Sequence, residues 1–158
     1  MYSRRMALQV LVFGGLAACG RRQPDSPPVS RHVVPLYPNE TPEMRALINK
    51  YAVVHGIPAS LLHRVIQRES TYRPEARNGP YYGLMQILPA TARSMGYQGT
   101  PEGLLDAETN IMYAGKYLRG AWLVSDGNEE AAVGWYARGY YFEAKRRGLL
   151  VETGLRSA

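Results

Sequence analysis

The chain has 158 residues, a formal net charge of +6 and a single cysteine, and 46% of its residues are hydrophobic. That length suits one small domain with its own core, and one cysteine excludes an intramolecular disulfide framework. The basic balance suits anionic partners, while no interleaving of basic and aromatic residues points to nucleic acid.

Arg4 and Arg5 precede an apolar run, Met6 to Ala18, that is too short to span a bilayer as a stable helix. Residues 1–18 therefore read as a signal peptide. Leu16-Ala17-Ala18-Cys19 resembles the lipobox of bacterial lipoproteins, which implies cleavage before Cys19, acylation of its thiol and attachment to a membrane. An ordinary secretory signal that contains a cysteine, or an uncleaved anchor, is the alternative. Ser3-Arg4-Arg5 also looks like part of a twin-arginine export signal. Either route leads out of the cytoplasm, and removal of Arg4 and Arg5 lowers the formal charge by two, to +4. Gly20 rather than aspartate follows Cys19, which by the sorting habit of many diderm lipoproteins favours the outer membrane, facing the periplasm.

Residues 19–40 carry the lipidated cysteine and a stretch with Pro24, Pro27, Pro28, Pro35 and Pro38, which cannot form a continuous helix and reads as a tether. Residues 41–150 are the domain, and 151–158 a C-terminal tail. Thr41-Pro42-Glu43 has the pattern of a helix start: N-cap, proline at the first position, acid in the first turn. Met44, Leu47, Ile48, Tyr51 and Ala52 recur at helical spacing until Gly56. A second helix begins near Pro58, with Leu61, Leu62, Val65, Ile66 and Glu69 on one face. Further helices are predicted from about Pro89 to Met95, Asp106 to Trp122, Glu129 to Ala137 and Tyr141 to Arg147, with a turn cluster at Ser125-Asp126-Gly127-Asn128. No stretch alternates as a strand does, so the expected fold class is all-α, a single mainly helical domain and a monomer.

Glu69 is the candidate catalytic group. It shares an apolar helix face near the helix C-terminus, where desolvation and the negative end of the dipole both disfavour its charged form. A carboxyl so placed can donate a proton near neutral pH. Asp106 and Glu108 read as cap and first-turn acids and Glu75 as a solvated loop residue, so no carboxylate partner is assigned. His55 and His63 lack metal-ligand spacing to one another or to carboxylates, so no zinc site is expected. Ser70 could hydrogen-bond the Glu69 carboxyl or cap the helix end. Gly83 permits a positive φ or close backbone approach. Gln86 can offer both a donor and an acceptor, and Met85 can pack on a ligand face or in the core.

Glu69-Ser70, Tyr72-Arg73-Pro74, Ala76-Arg77-Asn78, Gly83-Leu84-Met85-Gln86-Ile87-Leu88-Pro89-Ala90-Thr91-Ala92, Asn110-Ile111, Gly115, Tyr117-Leu118 and Tyr136 resemble, in order, the soluble lytic transglycosylase domain. The resemblance implies a lysozyme-like α-helical fold that works without metal or organic cofactor. It implies cleavage of the β-1,4 bond between N-acetylmuramic acid and N-acetylglucosamine in peptidoglycan, leaving a 1,6-anhydro end. Glu69 would be the acid, and Ser70, Tyr82, Gly83, Met85, Gln86 and Tyr136 the substrate-binding residues, with Asn110 bracing the architecture. The chain departs from the family pattern at Tyr136-Ala137-Arg138-Gly139, where the family usually has asparagine after the tyrosine. Two other readings stay open: a goose-type-lysozyme-like hydrolase, and a non-catalytic wall-binding module.

Overall fold

Thr41, Pro42 and Glu43 start the first helix as their chemistry directs. In α1 (Pro42–His55) the Thr41 Oγ1 accepts from the Met44 amide at 3.1 Å. Gly56, at φ 61°, ends it by donating to the Ala52 and Val53 carbonyls. The computed structural model describes residues 34–157, so the expected signal peptide, Cys19 and the tether up to residue 33 lie outside the described residues.

After Pro58, α2 (Ala59–Glu69) buries Leu61, Leu62, Val65 and Ile66 completely or nearly so. Next comes a hairpin of two very short strands, β1 (Arg77–Asn78) and β2 (Tyr81–Tyr82), with Arg77 opposite Tyr82 and Asn78 opposite Tyr81. Two-residue strands offer no alternation to read, so the sequence could not announce them. Then follow α3 (Pro89–Ser94), a short 3-10 helix (Pro101–Leu105), α4 (Ala107–Val124), α5 (Glu129–Arg138) and α6 (Tyr141–Arg146). Asp106 and Asn128 cap α4 and α5, accepting from the Thr109 and Ala131 amides at 2.8 and 2.9 Å.

The helix α4 is the axis of the core. It packs against α1, α5, α3 and the 3-10 helix through Ile111, Ala114, Leu118 and Ala121, all fully buried. Gly115 leaves room for the His55 ring of α1: a Cβ there would lie 2.7 Å from His55 Cδ2. Among the described residues no helix is long and apolar enough to cross a membrane. Among the described residues the fold is all-α with one two-stranded hairpin, as expected for a lysozyme-like domain.

Residues on both sides of 41–150 pack against the domain. Within the expected tether, Tyr37 stacks on Tyr72 and Glu40 is buried beside Arg45 and His63. In the expected tail, Thr153 is buried and donates to the Leu149 carbonyl at 2.7 Å, and Leu155 packs on the core. A buried carboxylate with an arginine partner, read one residue at a time, looks the same in sequence as a solvated one.

Candidate active site

Glu69 is the last residue of α2 and extends its apolar stripe. Its side chain keeps about a quarter of its surface exposed, at 24%. Burial raises its pKa above the ordinary carboxylate value, against a smaller lowering effect from the Arg68 guanidinium 3.6 Å away. The carboxyl thus sits half-desolvated at the mouth of a cleft.

The opposite wall is the loop 82–87, and its shape follows from Gly83 and Asn110. Gly83 lies at φ 75°, and a Cβ on it would collide with Asn110 Nδ2 and with the Leu104 carbonyl. Asn110, fully buried on α4, accepts from the Met85 amide at 2.9 Å and donates to the Tyr82 and Leu104 carbonyls at 2.9 and 2.8 Å. One amide side chain therefore ties the start and the middle of the loop, Tyr82 and Met85, to the Leu104 carbonyl. Gln86, at φ 48°, donates through Nε2 to the Ala76 and Gly83 carbonyls at 3.1 and 2.8 Å. From α5, the Tyr136 hydroxyl donates to the Met85 carbonyl at 2.8 Å. Burial, and after it the Glu69 charge, disfavours loss of the Tyr136 proton, so this hydroxyl stays a donor.

Around Glu69 the cleft has a segment of about 260 Å³ lined by Arg68, Asn78, Tyr81, Gln86, Tyr136 and Ala137. It continues into a segment of about 270 Å³ that shares Tyr81, Gln86, Tyr136 and Ala137 and reaches Leu88, Thr91, Tyr117 and Arg138. Glu69 is the sole carboxylate among these lining residues. A larger groove of about 600 Å³ lies along α2 and α5, lined by Arg64, Gln67, Arg68, Glu130, Val133 and Gly134. It shares only Arg68 with the cleft and lacks the half-desolvated Glu69, so the smaller cleft is the better candidate. The other acids weighed in sequence lie elsewhere: Asp106 caps α4, Glu108 binds Lys50 and Tyr51, and Glu75 is exposed. Among the described residues no group of three His, Cys, Asp or Glu is placed to hold a metal ion.

Of the residues expected at the site, Glu69, Gln86 and Tyr136 meet at the cleft, and four do not line it. Met85 is fully buried, so of the two places open to its side chain it takes the core, and it reaches the site only through its backbone. Gly83 is buried as the loop's hinge. Ser70 is buried and donates to the Ile66 carbonyl at 3.3 Å while accepting from the Arg73 amide, so it caps the helix end and leaves the Glu69 carboxyl alone. Tyr82 is buried, with the Arg77 guanidinium over its ring and 2.8 Å from its hydroxyl. Its neighbour Tyr81, 41% exposed, lines the cleft instead. Adjacent strand residues point to opposite faces, so only one of the two tyrosines could serve, and without the hairpin the choice was not visible.

Residues 46–148 match the model of the family described as Transglycosylase SLT domain, well over half of the chain. The matched span contains α2 with Glu69, the loop braced by Asn110, and Tyr136 on α5. The chain belongs to the transglycosylase SLT family, a lytic transglycosylase family that acts on peptidoglycan.

Proposed function

We propose that the protein cleaves the β-1,4 bond between N-acetylmuramic acid and N-acetylglucosamine in peptidoglycan, with Glu69 as the acid and then the base. The observation that carries this reading is a lone, half-desolvated carboxyl in a cleft without a second carboxylate. Protonated Glu69 donates to the glycosidic oxygen, and the N-acetylglucosamine side leaves with a new 4-hydroxyl. The acetamido oxygen of the muramic acid supports the anomeric carbon, so a carboxylate nucleophile is not needed. Ionised Glu69 then takes the proton of the 6-hydroxyl. That oxygen attacks the anomeric carbon, displaces the acetamido oxygen and closes the 1,6-anhydro ring.

The end of the reaction leaves Glu69 protonated again, ready for the next bond. The raised pKa favours this cycle because it keeps a larger share of the acid form near neutral pH. Tyr81 offers a ring to a sugar face, and Gln86 and Tyr136 hold the wall against which the glycan lies. Glu69→Gln, which keeps size and removes the proton donor, should lower release of soluble products from peptidoglycan by about 10²–10⁴-fold. Digestion at the parental rate would defeat the assignment.

The protein is further proposed to be held at a membrane of the cell envelope through Cys19. Cys19→Ser should move it from the membrane to the soluble fraction, and unchanged membrane retention would contradict this.

A further inference from the structure

The helix that carries Glu69 ends unusually. Where α1 ends on a left-handed residue it uses Gly56, which adopts that conformation without strain. After Glu69 and Ser70 come two consecutive left-handed residues that are not glycine, Thr71 at φ 53° and Tyr72 at φ 60°. Threonine is β-branched and a genuine outlier there. Such conformations persist only where their surroundings over-determine them, and they gather at functional sites.

The surroundings that do so come from residues 35–40. Asn39, itself at φ 65°, donates through Nδ2 to the Thr71 carbonyl at 3.2 Å. The Tyr37 ring lies nearly parallel to Tyr72, with centroids 5.5 Å apart, and 5.2 Å from the His63 ring. The Tyr72 hydroxyl and His63 Nδ1 are 2.8 Å apart, and His63 stands on α2 itself. Glu40 anchors the segment: its side chain is fully buried, pairs with Arg45 through both oxygens and accepts from the Tyr37 amide at 2.8 Å. Arg45 also donates to the Pro35 carbonyl at 3.1 Å. A buried ion pair is a poor source of stability compared with apolar packing, and its attested use is to fix one geometry.

We propose that residues 35–40 form a strap that holds the strained turn after Glu69 and so fixes the carboxyl in the cleft, with Asn39 and Glu40 as positioning residues. The proposal rests on the reading of Glu69 as the acid. The strap lies outside the matched family span, and its contacts run to the turn, to α2 and to Arg45 of α1, not to the cleft. It therefore acts on the rate through Glu69 and not on the binding of glycan.

The test measures kcat, KM and melting temperature of the full chain on soluble glycan strands. Asn39→Gly keeps the backbone conformation and removes the donor. It should lower kcat by about 10-fold with KM within about 2-fold, since a displacement of order 1 Å can cost up to about 10²-fold. Adding Thr71→Gly should restore most of kcat, because glycine holds the left-handed turn without the strap. Thr153→Val, which removes hydrogen bonds only to the Leu149 and Leu150 carbonyls, supplies the comparison for lost stability alone and should leave kcat unchanged. An Asn39→Gly variant with parental kcat, or one that Thr71→Gly does not rescue, overturns the strap while an inactive Glu69→Gln leaves the acid standing. A fully active Glu69→Gln overturns both.

Discussion

Asn110 is the residue on which the loop 82–87 depends most, and Asn110→Ala puts a magnitude on it. Truncation removes the acceptor of the Met85 amide, which has no other partner among the described residues. An orphaned buried donor costs about 1–3 kcal/mol. The Tyr82 and Leu104 carbonyls each lose a hydrogen bond worth about 0.5–1.5 kcal/mol. Tyr82 keeps its bond from the Ile87 amide, so its loss falls at the low end. The variant should lose roughly 2–5 kcal/mol, a large part of a typical total of about 5–15 kcal/mol. With a urea slope of about 1–3 kcal/mol/M, the unfolding midpoint should fall by roughly 1–3 M. A fall below about 0.5 M at unchanged slope would refute the claim that one side chain braces the loop. Asn110→Asp sharpens the test, since it keeps the acceptor for Met85 but sets a negative charge against two carbonyls. It should be less stable than Asn110→Ala at neutral pH and recover on acidification, when the protonated carboxyl can donate.

Other outcomes follow from the same geometry. Glu69 has a raised pKa in the folded state, so its contribution to stability is present below the unfolded value near 4.5 and lost as pH rises through the folded value. Glu69→Gln should therefore melt higher than the parent at pH 7 while losing activity, read by calorimetry and product release. The parental rate should fall as pH rises through the Glu69 pKa, and a pH profile lacking that limb would count against Glu69 as the donor. His55 has its pKa lowered by burial, with Nε2 buried and unpartnered. Its contribution is full above about 6.5 and lost as pH falls below that value, so stability should drop between pH 7 and 5 and His55→Gln should flatten the slope. Tyr136→Phe leaves the Met85 carbonyl without its donor and should cost about 1–2 kcal/mol in urea unfolding.

The helices were legible because each carries its own signals: Thr41 and Asp106 at caps, Gly56 at an end, and the stripe from Leu61 to Glu69. Glu69 stood out because a carboxylate continuing an apolar stripe is conspicuous in one dimension. The hairpin was not legible, and with it went the choice between Tyr81 and Tyr82, since two residues per strand carry no period. Met85 and Ser70 each kept two readings open in sequence for a related reason. Both adjoin site residues in sequence, yet loop geometry sends the Met85 side chain into the core and the Ser70 hydroxyl to the Ile66 carbonyl. The Glu40 cluster joins distant positions, with Asn39 reaching Thr71 and Tyr37 reaching His63 and Tyr72, and no local pattern announces contacts of that span.

That cluster and the Asn110 brace fix the two walls of the cleft from opposite sides, one behind the acid and one behind the loop that faces it. The chemistry between them is tested most directly by mass spectrometry of the fragments released from purified peptidoglycan. The account predicts muropeptides ending in 1,6-anhydromuramic acid, formed by the parent protein and lost with Glu69→Gln. Fragments with hydrated reducing ends would contradict it and assign the same cleft to a hydrolase.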